Sequence, residues 1–411
     1  MGEELQTSQV LSFEDARRVV EEHGAKLHPA GAEESDLLSS IGRVLAEPVH
    51  ADRDFPPFNR AARDGYAVRS ADLASIPQKL NVIGEIKAGA AEVPGPVTSG
   101  QAVAIMTGAP APAGTDAVVM VEYTSSNGSQ VEITRSIKAG DNIVPTGSEA
   151  RQGNLLLAPG TRLDEAAISV LASVGKSRVR VYARPRVAIL STGDEVVSIE
   201  TEPAPYQIRN SNTYSLAAQI KRSGGEPVLL PIAPDEITRL RELIEAGLQS
   251  DFLLLAGGVS MGKYDLVEQV LAELGAEFFF TGAAIQPGRP VVFGRVHGKY
   301  FFGLPGNPVS TMVTFELFAR AILEALMGMR PRAVAFLRAR LKSDVKTKTG
   351  LTRFLPAILS GQFDEAEVEL AGWHGSGDIA TTARANCYLV IAPDRERFAA
   401  GEWVPVLMRS V

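Results

Sequence analysis

Cysteine is almost absent from this 411-residue chain, in which Cys387 stands alone. A single thiol excludes an internal disulfide and any thiolate metal cluster. Histidine is scarce as well: His23, His28, His50, His297 and His374 are scattered without the spacing of metal ligands and read as surface or packing residues. No run of about eighteen apolar residues occurs, so no transmembrane helix is expected. The opening MGEELQTSQVLSFEDARR has neither a basic nor an apolar leader segment, and the expected location is the cytoplasm. Excess positive charge is missing too. The net charge is −7, which does not advertise nucleic-acid binding, so any anion must be held by a local arrangement of donors. The nucleophile-elbow, Walker A and Rossmann glycine patterns are all absent.

What is present is a long chain of ordinary globular composition, 45% apolar and 22% charged, enough for two to four domains. The expected fold class is multidomain α/β and β. Residues 1–48 and 150–184 read as one small mixed domain, opened by a helix that Ser12 caps with Asp15 three residues on. An inserted β-rich domain spans 49–149, where short β-branched runs alternate with Gly and Pro and where Asn127-Gly128 reads as a hairpin turn. Over 185–328, RVAILS, EPVLLPI and DFLLLAG alternate with helical patterns, which implies a parallel sheet with right-handed crossovers. Residues 329–411 return to short strands and read as a small β-barrel packed by Trp373 and Trp403.

Three segments of the α/β region follow strands. Ser191-Thr192-Gly193-Asp194-Glu195 follows RVAIL, Gly257-Gly258-Val259-Ser260-Met261-Gly262 follows DFLLLA, and Gly303-Leu304-Pro305-Gly306-Asn307-Pro308 follows KYFF. Ligands of open parallel sheets bind beyond the carboxyl ends of the strands, so the three are expected to converge on one edge. Asn307 and Pro308 read as N-cap and first residue of a helix whose free N–H groups, with Ser310, form an anion site. The glycine loop lets backbone N–H groups approach an oxyanion, with Ser260 as a hydroxyl donor. Asp194 and Glu195 are hard oxygen ligands suited to Mg²⁺. Singly, a Gly-Gly pair marks a turn and an Asp-Glu pair caps a helix; together at one edge they read as a site. By pattern alone, Asp64-Gly65-Tyr66 and Met106-Thr107-Gly108 are turns flanking strands.

The ordered set DGYAVRS (64–70), GEIKAGA (84–90), IMTGAPAPAGTDAVV (105–119), STGDEV (191–196), GGVSMGKYD (257–265), QPGRPVVFG (286–294) and GLPGNPVS (303–310) strongly resembles the MoeA / gephyrin E-domain family, as do GSGDIATTARAN (375–386) and GEWVPV (401–406). The resemblance covers essentially the whole chain. It implies four domains, with a MogA-like α/β domain at 185–328, and a homodimer whose active site lies between that domain of one subunit and the DGYAV domain of the other. It also implies the reaction of a molybdopterin molybdenumtransferase: adenylylated molybdopterin and molybdate give molybdenum cofactor and AMP, with Mg²⁺. Carried onto this sequence, the implied catalytic residues are Asp64, Glu195, Asp251 and Asp265. Substrate contacts fall on Thr107, Gly108, Thr192, Gly193, Gly257, Gly258, Ser260, Gly262, Arg289, Pro305, Gly306, Asn307 and Ser310, and the metal falls to Asp194 and Glu195. A MogA-type adenylyltransferase and apo-molybdoenzymes are the implied protein partners; neither nucleic acid nor membrane is among them.

The chain departs from the family pattern at Arg60, Arg63, Lys263 and Gln286, and in NIVPTGSEA (142–150). Positive charge redistributed around the anion site, with Arg60, Arg63, Lys263 and Arg289 compensating, is the expectation these departures raise. They bear on oxyanion preference, tungstate against molybdate, more than on reaction class. A stand-alone adenylyltransferase would leave DGYAV, IMTGAP and the barrel unexplained, and the retained acids argue against a non-catalytic scaffold.

Overall fold

The computed structural model describes residues 9–90, 93–258, 266–330 and 333–409. The chain gathers into two compact units, one of residues 47–158 and 164–178, the other of 1–46, 159–163 and 179–411. The four segments read from the sequence are thus distributed over two bodies.

The larger unit is built on a six-stranded sheet in the order Glu226–Leu229, Arg186–Ser191, Phe252–Ala256, Lys299–Leu304, Val292–Val296, Glu277–Phe280. The first four strands are parallel, as the alternating pattern predicts, and the last two pairings are antiparallel. Side chains of a strand alternate between its two faces, and here each face has its own core. Val187 and Ile189 join Leu216 and Ile220 of the helix Asn212–Ser223, whereas Ala188 and Leu190 join Leu240, Leu243 and Ile244 of the helix Ile237–Gly247. That two-sided burial explains why these strands read as continuous apolar runs. The first helix ends at Gly224, with φ +106°, where only glycine is at ease.

The opening helix, Phe13–Gly24, starts as expected: Ser12 Oγ accepts the Asp15 N–H at 3.0 Å, and Phe13, Ala16 and Val20 are buried in the first core. Beyond the sheet, Thr352–Ser360, Glu367–Leu370, Leu337–Leu341, Trp403–Met408 and Cys387–Ile391 close into a five-stranded barrel, with Ile285–Gln286 added at one edge. The tryptophans do not fill its core. Trp403 is 42% exposed under the Arg340 guanidinium, and Trp373 lies on a cavity wall. The barrel interior is filled mainly by aliphatic side chains, with Phe398 and Cys387, and closes without them.

The smaller unit holds a mixed six-stranded sheet in the order Ala117–Met120, Gly65–Val68, Gln101–Ile105, Gln78–Ile86, Gln130–Ile133, Thr124–Ser126. Asn127 and Gly128 turn the last hairpin, Gly128 at φ +93°. Gly65 sits so close to its neighbour that a Cβ would lie 1.8 Å from the Val119 carbonyl oxygen. Among the described residues no helix is long and apolar enough to cross a membrane.

Two substitutions test this packing. Phe302 is fully buried and stacked on Phe293 with centroids 4.5 Å apart, so Phe302→Ala is expected to cost about 3–5 kcal/mol in denaturant titration. Gly65→Ala forces backbone apart in the smaller unit and should lower its stability by at least about 1–3 kcal/mol; an unchanged midpoint would refute the close approach.

Candidate functional site

The register of the large sheet sets the site. Ser191 pairs with Ala256, and Ala256 with Leu304, so the three strands end in one row. Thr192, Gly257 and Pro305 are therefore the first residues beyond that row. Their segments touch: a Cβ on Gly257 would lie 2.9 Å from the Thr192 carbonyl oxygen, a Cβ on Gly306 would lie 3.7 Å from Gly257 Cα, and Asn212 Nδ2 donates to the Gly306 carbonyl at 2.7 Å. Gly257 and Gly258 have φ of +97° and +65°. Side chains there would also invade the space around Thr192, so glycine is required twice over.

Two cavities open at this edge. The first, of about 750 Å³, is walled by Thr192, Gly193, Glu195, Asp235, Gly257, Gly258 and the start of the helix Asn212–Ser223. The second, of about 620 Å³, is walled by residues 285–290, Ser310 and residues 373–376. Pro290, Pro305 and Asn307 belong to both walls. Volumes of this size suit drug-sized ligands.

Asp194 and Glu195 leave the first strand here, and with them comes Asp235, which reading the sequence missed. A bridge between Thr192 and Ala233 aligns the two segments, and the Asp235 N–H donates to Asp194 Oδ1 at 3.1 Å. Burial, then the charges of Asp194 and Glu195, raise the Asp235 carboxyl above its ordinary value. Its signal in the sequence was hidden because Pro234-Asp235-Glu236 reads as the start of a helix. The carboxyl-edge rule, applied to EPVLLPI, would have found it.

The helix after Pro305 begins at Pro308 with Asn307 as its cap, but the Asn307 side chain accepts no helix N–H. One of the expected free donors is already used: the Val309 N–H donates to the Ser376 carbonyl at 3.0 Å. This bond draws Gly375-Ser376 of the C-terminal segment onto the second cavity. Arg289 also lines that cavity and is exposed. Asp378, below Ser376, accepts from the Thr381 N–H at 3.0 Å and caps the next helix, which holds its carboxyl well below the usual range.

The structure does not bring Asp251 to this edge. It precedes Phe252 at the opposite end of the strand, accepts the Arg186 N–H at 2.8 Å and lies 3.8 Å from Lys299. At roughly 3.3 Å per strand residue, that is about 20 Å from Gly257. Ser260, Gly262, Lys263 and Asp265 lie outside the described residues.

In the smaller unit, Asp64 Oδ1 accepts both the backbone N–H of Thr107, at 2.6 Å, and its hydroxyl, at 2.8 Å. These bonds lower the exposed Asp64 carboxyl below its ordinary value. Asp64 and Thr107 are thus one unit of structure, and Gly108 (φ +84°) turns the chain behind them. Arg60 does not stand free as a compensating charge. Its guanidinium pairs with Glu149 at 2.8 Å, so two departures from the family pattern answer one another locally.

Family models match in order along the chain: the MoeA N-terminal region (domain I and II) over residues 11–175, the probable molybdopterin binding domain over 188–325, and the MoeA C-terminal region (domain IV) over 338–408. The chain is 37% identical over 389 residues to a molybdopterin molybdenumtransferase of a Nostoc species, covering 92% of this chain and 88% of the relative. It is 34% identical over 384 residues to the Bacillus subtilis protein of the same name, covering 90% and 88%. The chain belongs to the MoeA family. Among solved structures, the molybdopterin biosynthesis MoeA protein of Pyrococcus horikoshii matches with TM-score 0.79 at 29% identity, over 98% of this chain and 100% of that one. A second MoeA structure from Pyrococcus horikoshii matches with TM-score 0.71 at 34% identity, over 97% and 99%.

Because Asp194 helps to raise the Asp235 pKa, Asp194→Asn should lower it, read by NMR titration of the carboxyl carbon; no change would remove the like charge as a cause. A raised carboxyl pKa favours the protonated folded state, a contribution present below the ordinary value and lost as pH rises through the shifted one.

Proposed function

We propose that this protein is a molybdenum insertase of molybdenum cofactor biosynthesis, converting adenylylated molybdopterin and molybdate to molybdenum cofactor and AMP. The observation that carries the reading is the row Ser191–Ala256–Leu304, which delivers three polar segments to one pair of adjoining cavities. The larger cavity takes the adenylylated pterin and the smaller one the oxyanion. Molybdate is a tetrahedral dianion, and the second cavity offers it Arg289, the Ser310 hydroxyl and backbone around Gly375.

The acids fit a divalent ion. Asp194, Glu195 and Asp235 are hard donors, and burial, then the charges of the other two, raises Asp235. Among the described residues no three acids or histidines are grouped to hold a metal by themselves. Mg²⁺ there would take one or two carboxylates and complete its shell with phosphate oxygens and water. When bound, it neutralises charge at the adenylyl phosphate during cleavage. The residues of the chain do the rest: Thr192 and the two glycines place the substrate, and Glu195 would hold the divalent ion beside its phosphate.

The same proposal includes a homodimer, in which Asp64 and Thr107 of one copy serve the cavities of the other, and a cytoplasmic location. Cys387, the one thiol, is buried and pushed up to about 11, which supports a chain with no redox role for sulfur. A MogA-type adenylyltransferase supplies the substrate and apo-molybdoenzymes receive the product.

The test is a defined reconstitution with adenylylated molybdopterin, Mg²⁺ and either molybdate or tungstate. Oxyanion-dependent AMP release is expected, reduced at least about 100-fold by Glu195→Ala and essentially unchanged by Asp251→Asn. Binding of substrate without AMP release under either oxyanion would overturn the proposal. Mg²⁺ should also lower the Asp235 pKa in the substrate complex.

A further inference from the structure

Among the described residues, five buried side-chain polar atoms meet no hydrogen-bond partner: Arg60 Nε, Thr192 Oγ1, Asn212 Oδ1, Gln219 Oε1 and Trp373 Nε1. A buried polar atom without a partner is destabilising, so each needs a reason. Two of the three orphaned oxygens, those of Thr192 and Asn212, belong to residues on the wall of the 750 Å³ cavity. That placement is itself the clue.

Asn212 is the more informative of the two. Its Nδ2 donates to the Gly306 carbonyl at 2.7 Å, which fixes the amide with Oδ1 as the remaining atom. Oδ1 can only accept. The backbone that carries it is held rigidly: Asn210, seven per cent exposed, accepts the Thr213 N–H at 3.1 Å, and the Ser191 and Thr213 hydroxyls meet at 2.8 Å. The acceptor is therefore preorganised, with no donor among the described residues. A fully ionised phosphodiester or a molybdate dianion cannot satisfy it, because both bring only acceptors. A flat heterocycle with an N–H or NH₂ edge can.

We infer that Asn212, assisted by the Thr192 hydroxyl, is a specificity-determining residue that accepts a hydrogen bond from the donor edge of the substrate's heterocycle. The inference rests on the first cavity being the substrate cavity. Both halves of the adenylylated substrate carry such an edge, the pterin with its 2-amino group and the adenine with its 6-amino group.

The test pairs each ring with its analogue lacking the amine, using binding measured by calorimetry. The ligand pairs are pterin with 4-oxopteridine, and AMP with purine riboside 5′-monophosphate. Wild type is expected to prefer the amine-bearing member of one pair on the order of ten-fold, and the pair that shows it identifies which ring Asn212 reads. Asn212→Leu should abolish that preference by weakening the amine-bearing ligand alone. Asn212→Asp, which keeps an oxygen acceptor but loses the donor to Gly306, should retain it. If Asn212→Leu weakens both members of a pair equally, or if Asn212→Asp loses the preference as fully, the side chain only ties down the Gly306 turn and the inference fails. Wild type binding both members of each pair alike also refutes it. Wild type binding none of the four would overturn the substrate-cavity reading together with this inference.

Discussion

Parallel pairing in register is the constraint on which the rest of this molecule depends. Hydrogen bonds between Arg186–Ser191, Phe252–Ala256 and Lys299–Leu304 align Ser191, Ala256 and Leu304 in one row, and the chain can leave that row only toward the same side. Slipping one strand by a single residue would exchange its two faces, and each face is claimed by a separate apolar core. The packing that stabilises the sheet therefore also fixes where Thr192, Gly257 and Pro305 begin. Site geometry here is a by-product of core registry.

The polar groups at that edge divide the work by chemistry. Acids collect on one wall, where Asp235 is raised by burial and by its neighbours, and donors collect on the other, around Arg289, Ser310 and Gly375. A substrate with a phosphate between two rings, and an oxyanion to be attached, needs both. The C-terminal segment takes part through the bond from Val309 to Ser376, which spends one helix N–H on holding a wall in place. In the smaller unit the bonds from Thr107 to Asp64 keep a carboxylate ionised and oriented at the end of a strand.

Much of the fold was legible. The parallel strands announced themselves as apolar runs because they are covered on both faces, and Ser12 and Asn127-Gly128 marked a helix start and a hairpin through local chemistry alone. The site was less so. Thr192, Glu195, Gly257 and Pro305 were found because they follow strands directly, whereas Asp235 was concealed inside a helix-start pattern and Asn212 inside a helical one. Trp373 was assigned to the barrel core on hydrophobicity, yet its ring lies at a cavity wall.

The sequence by itself determined the local elements, the family and the segments that carry chemistry, because caps, turns and period are written in neighbouring residues. Tertiary structure alone decided which of the acids share a wall. Asp251 and Gly257 are six positions apart yet end on opposite edges of the sheet, because an extended strand separates them by about 20 Å. Asp194 and Asp235 are forty-one positions apart and hydrogen-bonded, because parallel pairing returns the chain to the same edge after each crossover.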